Sequence, residues 1–291
     1  MNKRGTSPRP EAVVRVEGPS QGTGVSGVIA VMRFGLCVTV VSLLLSAVAS
    51  PFLNLSWWKV FRRCVSIAAA LSFWLCNKVF DRRDLRSYGL VSLREGKGQL
   101  VLGLLVGLSA LGMMLAVGLA TGTCRFSISP DRIKLWRTVL GFIPAAALVG
   151  LLEELVFRGV ILQHLARHSR GFAIAASSGL YALVHLKMLS FGLQTWMELG
   201  GLFLLGGLLS LTYLWTQQLY LAIGLHASLA YGARVNKLLI EFPDTSLSWL
   251  VGTNRLVNGL AGWVALVAIG ITVMWWVRRV QHRGGARHGT A

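Results

Sequence analysis

Charged residues, and acidic residues above all, are scarce in this sequence of 291 residues. Only 14% of the residues are charged and only 11 are Asp or Glu, whereas about 25% of a typical soluble domain is charged. Hydrophobic residues make up 54% of the chain, which is too many for a disordered protein. Cysteine is also rare, and four Cys in a chain of this length do not form a disulfide framework. The scarcity of charge therefore indicates a protein that buries itself in lipid.

The charge that is present is mostly positive. The chain has 29 Lys and Arg, which gives a net charge of +18. In a soluble protein this balance would suggest nucleic-acid binding. Here the basic residues lie in short segments between apolar runs, where they meet lipid head groups and fix membrane topology. We therefore expect anionic lipid head groups as partners, and no nucleic acid.

Long apolar runs predict an all-α fold, a polytopic integral membrane bundle of about eight transmembrane helices. A bilayer core about 30 Å thick requires roughly 20 apolar residues per helix. The third predicted helix contains a small-x-x-x-small pattern of Gly103 and Gly107, which favours close helix packing. The eight predicted spans are residues 34–54, 62–80, 98–121, 138–160, 171–190, 198–216, 218–235 and 259–277.

The distribution of basic residues predicts the orientation. Residues 1–26 form a predicted flexible basic tail, residues 27–277 a transmembrane domain, and residues 278–291 a second basic tail. Alternate sides of the predicted spans carry 17 and 11 Lys and Arg, without Arg158. The positive-inside rule then predicts cytoplasmic termini in the cell membrane.

Five ionisable residues lie where lipid should exclude them. Glu153 and Glu154 are the acids within a long apolar stretch, and Arg158 follows in the same stretch. His185 and His226 are embedded in two other apolar stretches. Ionisable residues inside a span are costly, so they indicate a functional site. The remaining histidines are predicted to be peripheral: His164, His168, His282 and His288.

The spacing of these residues suggests a division of labour. Glu154 and Arg158 are four residues apart and can pair on one side of a helix. Glu153 is rotated by about 100° from Glu154, so it can point elsewhere and accept a proton from water. An imidazole from another helix could share that water or bind a metal. If a metal is bound, the candidate ligands are Glu153, His185 and His226, with zinc as the candidate metal.

Two interpretations without catalysis are also consistent with these residues. The five residues could form a buried polar network that holds the helices together. They could also serve a proton-coupled transporter, although no internal repeat is apparent in the sequence.

The ordered motifs resemble a known family. Glu153-Glu154-x-x-x-Arg158, then Tyr181-x-x-x-His185, then His226 resemble the three motifs of the CPBP family. This family comprises CaaX proteases and bacteriocin-processing intramembrane peptidases that depend on a glutamate. The resemblance covers about residues 130–235, and the loop 84–90 is also in the style of this family.

The resemblance implies a role for each matching residue. Glu153 would activate water, His185 would help to bind that water, and Glu154 with Arg158 would orient the first motif. His226 would stabilise the oxyanion of the tetrahedral intermediate. The substrate would be a membrane-anchored protein or peptide, cleaved near its membrane end.

Two positions depart from the pattern of the family. The second motif usually begins with Phe, and Tyr181 instead adds a hydroxyl that could contact substrate. The third motif usually has Asn or Asp four residues after its His, where this chain has Ala230. Ser228, Tyr231 or a residue on another helix could replace that donor. Ala230 also favours the alternative of a non-catalytic membrane scaffold or immunity protein with the same fold.

Overall fold

The computed structural model is an all-α bundle, and it describes residues 24–185, 192–243, 246–252 and 257–286. Most of the first predicted tail, the end of the second tail and residues 186–190 of the fifth predicted span lie outside the described residues. The α-helices are α1 (Gly24–Ala49), α2 (Trp57–Cys76), α3 (Leu93–Ala120), α4 (Arg132–Glu154), α5 (Gln163–Leu165), α6 (Arg170–His185), α7 (Leu193–Thr216), α8 (Tyr220–Leu239), α9 (Ser248–Val251) and α10 (Leu260–Ala286).

Short elements connect these helices. An antiparallel pair of two-residue strands, β1 (Arg125–Phe126) and β2 (Ile240–Glu241), joins the segment before α4 to the end of α8. The remaining helical turns are the 3₁₀ turns Ser50–Phe52 and Leu85–Tyr88 and the π-helical segments Asn77–Asp81 and Leu155–Leu162.

Six helical stretches among the described residues are long and apolar enough to cross a membrane. The bundle is thus a membrane bundle, as the sequence predicts, but the predicted count of eight is not confirmed. The other two predicted spans correspond to α6, which has 16 described residues, and α8, which carries Arg234 and Lys237 near its end. The six stretches are Ser26–Phe52, Trp57–Asp81, Leu85–Ala120, Arg132–Leu165, Leu193–Thr216 and Leu260–Arg279.

Helix α8 lies at the centre of the bundle and packs against α3, α4 and α7. Its residues from Leu221 to Leu229 are all buried, as expected for a helix covered on every side. Helix α3 approaches it closely at Gly103, where a Cβ would overlap the carbonyl oxygen of Leu221. At Gly107 a Cβ would overlap the side-chain hydroxyl of Ser228. The pair of small residues predicted to favour packing therefore lies against α8.

The helix that carries the two glutamates changes its winding directly after them. Asp131 caps the beginning of α4, since its side chain accepts a hydrogen bond from the backbone N–H of Lys134 at 2.8 Å. It contains Pro144 and ends at Glu154, where the π-helical segment Leu155–Leu162 follows. Single π turns often occur at functional sites, since they rotate the following side chains relative to an α-helix.

Candidate active site

Side chains from three helices meet at one point of the bundle. Glu153 comes from the end of α4, His185 from the end of α6 and His226 from the first half of α8. One carboxylate oxygen of Glu153, Oε2, lies 3.1 Å from His185 Nε2 and 3.6 Å from His226 Nε2. The acid and the two imidazoles that the sequence placed on separate apolar stretches therefore converge.

The neighbouring carboxylate, Glu154, is held in the interior through one of its two oxygens. Its Oε1 accepts a hydrogen bond from Arg158 Nη1 at 2.9 Å and another from His226 Nδ1 at 2.7 Å. Arg158 also donates through Nη2 to the backbone carbonyl of Gly206 on α7 at 2.9 Å. Glu154 and Arg158 are completely buried, so this pair joins α4, α7 and α8 and orients His226.

The two glutamates differ in how far their side chains are exposed. The side chain of Glu153 is 29% exposed and that of His185 is 30% exposed, while Glu154 is 0% exposed. An attacking water and a substrate must reach the acid that uses them. Of the two adjacent acids, Glu153 is the one whose side chain is partly exposed.

The hydrogen bond between His185 and a backbone carbonyl indicates which of its ring nitrogens carries a proton. His185 Nδ1 is 2.8 Å from the carbonyl oxygen of Tyr181, which can only accept, so Nδ1 donates. A neutral His185 then presents a bare Nε2 to Glu153 Oε2. Two acceptors at 3.1 Å need a proton between them. Glu153 and His185 are therefore arranged to share one proton.

Tyr181 forms the wall between the two histidines. Its ring lies 4.3 Å from the His185 ring and 5.2 Å from the Phe157 ring, measured between centroids. Its hydroxyl is 3.5 Å from His226 Nε2, and the residue is buried. The residue that the sequence predicted as substrate-binding thus lies beside the group predicted to face the oxyanion.

The hydroxyl groups around Ala230 differ in whether they already have a partner. The Ser228 hydroxyl donates to the carbonyl oxygen of Leu225 at 2.9 Å, and the Tyr231 hydroxyl donates to that of Val139 at 2.9 Å. Both hydroxyls on α8 are thus committed to backbone carbonyls. The hydroxyl that lies near His226 belongs to Tyr181, on another helix.

The residues do not form a recognisable metal centre. In the described part of the chain, no group of three or more His, Cys, Asp and Glu side chains is arranged to hold a metal ion. Zinc held by Glu153, His185 and His226 therefore stays a prediction from the sequence.

A second polar cluster, which the sequence did not predict, lies near the end of the π-helical segment Leu155–Leu162. His164 lies at the end of the helical stretch Arg132–Leu165, which is the peripheral position that the sequence predicts, and it is buried, with Nε2 3.8 Å from Asp81 Oδ2. Asp81 also accepts hydrogen bonds from the Tyr88 hydroxyl at 3.2 Å and from Arg33 at 3.4 Å. The burial of His164 was not predicted, and it follows from the packing of α1 against α5, where a Cβ at Gly27 would overlap the backbone carbonyl oxygen of His164. This cluster ties α1, α2 and the loop before α3 together.

Comparison with known proteins supports the family predicted from the motifs. Residues 135–231 match the model of a family described as Rce1-like, type II CAAX prenyl endopeptidase Rce1-like. The matched segment is about a third of the chain and contains all five ionisable site residues. No curated protein and no solved structure matches the chain. Over residues 135–231, therefore, this membrane protein matches the Rce1-like CAAX prenyl endopeptidase family, as its three motifs predict.

Proposed function

We propose that this chain is an intramembrane endopeptidase that hydrolyses a peptide bond of a membrane-anchored protein or peptide. One observation carries the proposal. The partly exposed side chain of Glu153 lies beside histidines of two other helices. The adjacent Glu154 instead forms an ion pair with a buried arginine, Arg158. The site therefore has one acid free for chemistry and a second acid that positions a histidine.

In the proposed mechanism Glu153 is the general base. Its carboxylate accepts a proton from water, and the resulting hydroxide oxygen attacks the carbonyl carbon of the scissile peptide bond. His185 Nε2 lies close enough to Glu153 Oε2 to share the accepted proton. That proton then passes to the leaving amine as the carbon–nitrogen bond breaks, so each turnover consumes one water and returns Glu153 to its starting state.

The opposite wall of the site would stabilise the tetrahedral intermediate. His226 is held through Nδ1 by Glu154, which directs Nε2 toward the space beside Glu153. The Tyr181 hydroxyl lies next to that nitrogen. A protonated His226 Nε2 and the Tyr181 hydroxyl would donate to the negatively charged oxygen. A single such donor contributes about 2.7–4 kcal/mol to transition-state stabilisation in a known protease.

The membrane environment selects the substrate class. Six apolar helical stretches and the matched family support an integral membrane protein. We propose that the anchor of the substrate lies in the lipid and brings the bond near the anchor to Glu153. A lipid-modified C-terminal tail and a C-terminal sorting helix both fit this description. We also propose that both termini face the cytoplasm and that the protein lies in the cell membrane.

The substrate class is tested with the full chain reconstituted in liposomes. A peptide with a lipid-modified C-terminal cysteine is compared with the same peptide lacking the lipid, and products are identified by mass spectrometry. We expect cleavage of the anchored peptide at least about 100-fold faster, because the shared bilayer raises its effective concentration. Equal rates for the two peptides, or cleavage of neither this peptide nor one with a C-terminal apolar helix, would overturn the proposal.

The alternative is a scaffold or immunity protein, which Ala230 favours. Complementation of a deletion strain separates the two functions. Rescue by a chain in which Glu153, His185 and His226 are all replaced would support the scaffold. Loss of rescue, with the variant still present in the membrane, would support the peptidase.

A further inference from the structure

A cavity of about 820 Å³ opens between the beginning of α4 and the second half of α8. Three basic side chains line it: Lys134 and Arg137 on α4 and Arg234 on α8. Asp131 is the acidic residue in its lining, and one oxygen of that carboxylate already accepts the backbone N–H of Lys134. Basic side chains from two helices, α4 and α8, therefore line the same cavity.

In the described ranges, no ion pair involves Lys134, Arg137 or Arg234. The guanidinium of Arg234 lies 5.9 Å from the centre of the Phe142 ring, and both residues line the cavity. Unpaired cations around a cavity attract an anion.

The adjacent face of α4 indicates how deep in the membrane the cavity lies. Exposed apolar side chains recur there at helical spacing, beginning with Ile133 and Trp136, within one turn of the two basic residues. Such a stripe faces acyl chains, and tryptophan favours the level of the head groups. The apolar stripe consists of Ile133, Trp136, Leu140 and Ile143.

The cavity is remote from the candidate active site. Arg137 precedes Glu153 on the same helix by about 24 Å, at a rise of about 1.5 Å per residue. A ligand in the cavity would not touch the water that Glu153 activates. The inference is therefore independent of the proposed function.

We infer that this cavity binds the phosphate group of an anionic phospholipid. The three cations would contact the phosphate oxygens, and the acyl chains would lie along the apolar stripe of α4. A zwitterionic phospholipid would bind less tightly, because its own ammonium group competes for the phosphate. A soluble phosphate would satisfy the cations but would leave the apolar stripe unused.

The test measures lipid binding by native mass spectrometry of the purified full chain in a neutral detergent. Phosphatidylglycerol is the anionic probe and phosphatidylcholine the zwitterionic one. The cavity variant combines Lys134→Gln, Arg137→Gln and Arg234→Gln. We expect it to lose at least about tenfold in phosphatidylglycerol affinity, since each cation near an anionic lipid surface contributes about fivefold. The affinity for phosphatidylcholine should not change.

The matched control, the α2 variant, removes the same charge from another set of exposed residues. It combines Lys59→Gln, Arg62→Gln and Arg63→Gln, which lie together near the beginning of α2. We expect its phosphatidylglycerol affinity to remain within about twofold of that of the original chain, because these three residues all lie on α2, whereas the cavity residues come from two helices. An equal loss in both variants would overturn the inference, since net charge alone would then explain it.

Two further measurements distinguish a lipid from free phosphate and cover the case in which the cavity variant does not fold. Inorganic phosphate is added at tenfold excess over phosphatidylglycerol, and we expect the lipid to stay bound. Displacement by phosphate would overturn the assignment to a lipid. If the cavity variant does not fold, its three single substitutions replace it, and each should weaken phosphatidylglycerol binding by about fivefold. No loss in any of them would contradict the inference.

Discussion

His226 Nδ1 lies 2.7 Å from Glu154 Oε1, and the same oxygen lies 2.9 Å from Arg158 Nη1. One buried carboxylate thus holds a histidine of α8 and neutralises an arginine of its own helix. The relationship explains why two adjacent glutamates are present. Glu154 holds His226, while Glu153 lies beside both His185 and His226.

Replacement of Glu154 should therefore lower stability more than replacement of Glu153. Glu154→Gln leaves Arg158 buried without an anionic partner, and loss of one partner of a buried pair costs about 3–5 kcal/mol. Glu153→Gln affects a partly exposed side chain and should cost about 1 kcal/mol or less. Unfolding of each variant in mixed micelles, followed by circular dichroism, measures the difference. Equal costs would contradict the division of roles between the two acids.

The Tyr181 hydroxyl should replace the donor that Ala230 lacks. Tyr181→Phe keeps the ring between His185 and Phe157 but removes the hydroxyl, and we expect the cleavage rate to fall by about 100-fold. Adding Ala230→Asn should recover a large part of that rate, because position 230 lies one helical turn from His226 on the same side of α8.

The double variant distinguishes chemistry from packing. A purely structural role for Tyr181 would leave the rate of Tyr181→Phe near that of the original chain, since the ring is retained. A slow single variant that Ala230→Asn does not improve at all would contradict the proposed exchange of donors. Rates are measured at saturating substrate, so that weaker substrate binding does not enter the comparison.

Close packing of α3 on α8 should depend on Gly103. In Gly103→Ala the new methyl group overlaps the Leu221 carbonyl, so the helices must separate, at a cost of about 1–3 kcal/mol. Gly112→Ala is the matched control on the same helix, because nothing lies within 4 Å of its added Cβ. It should be neutral or stabilising by about 0.5–1 kcal/mol. Unfolding free energies of the two variants check this, and equal values would contradict the close approach.

The sequence could predict the parts of this site that depend on local spacing. Apolar runs indicated the helices, and the four-residue separation of Glu154 and Arg158 predicted their pair. The convergence of Glu153, His185 and His226 followed from the cost of leaving each of them alone in lipid. These are statements about composition and helical periodicity, which a sequence carries directly.

Other contacts depend on how helices rotate against each other, and the sequence does not encode that locally. The bond from His226 to Glu154 requires a particular rotation of α8. The acceptor for Arg158 is the backbone carbonyl of Gly206, and every residue has such a carbonyl. The burial of His164 depends on how α1 packs against α5. Packing of whole helices decided these features.

Chelators should not affect the reaction if the side chains act without a metal. We expect the initial cleavage rate to be unchanged after incubation with EDTA and with 1,10-phenanthroline, since the proposed steps use only Glu153, His185, His226 and Tyr181. Metal content is measured in the same samples by mass spectrometry. Loss of activity that added zinc restores would contradict the metal-free mechanism and favour the zinc site predicted from the sequence.

The most direct test of the central claim is the single-turnover rate of Glu153→Gln in liposomes. The amide keeps the size of the side chain but cannot accept a proton from water, so we expect the rate to fall by about 10³-fold or more. Glu241→Gln, an exposed residue paired with Arg125 on the strand pair, serves as control and should retain the full rate. Cleavage by Glu153→Gln within tenfold of the original chain, by a protein with an unchanged helical spectrum, would contradict the account.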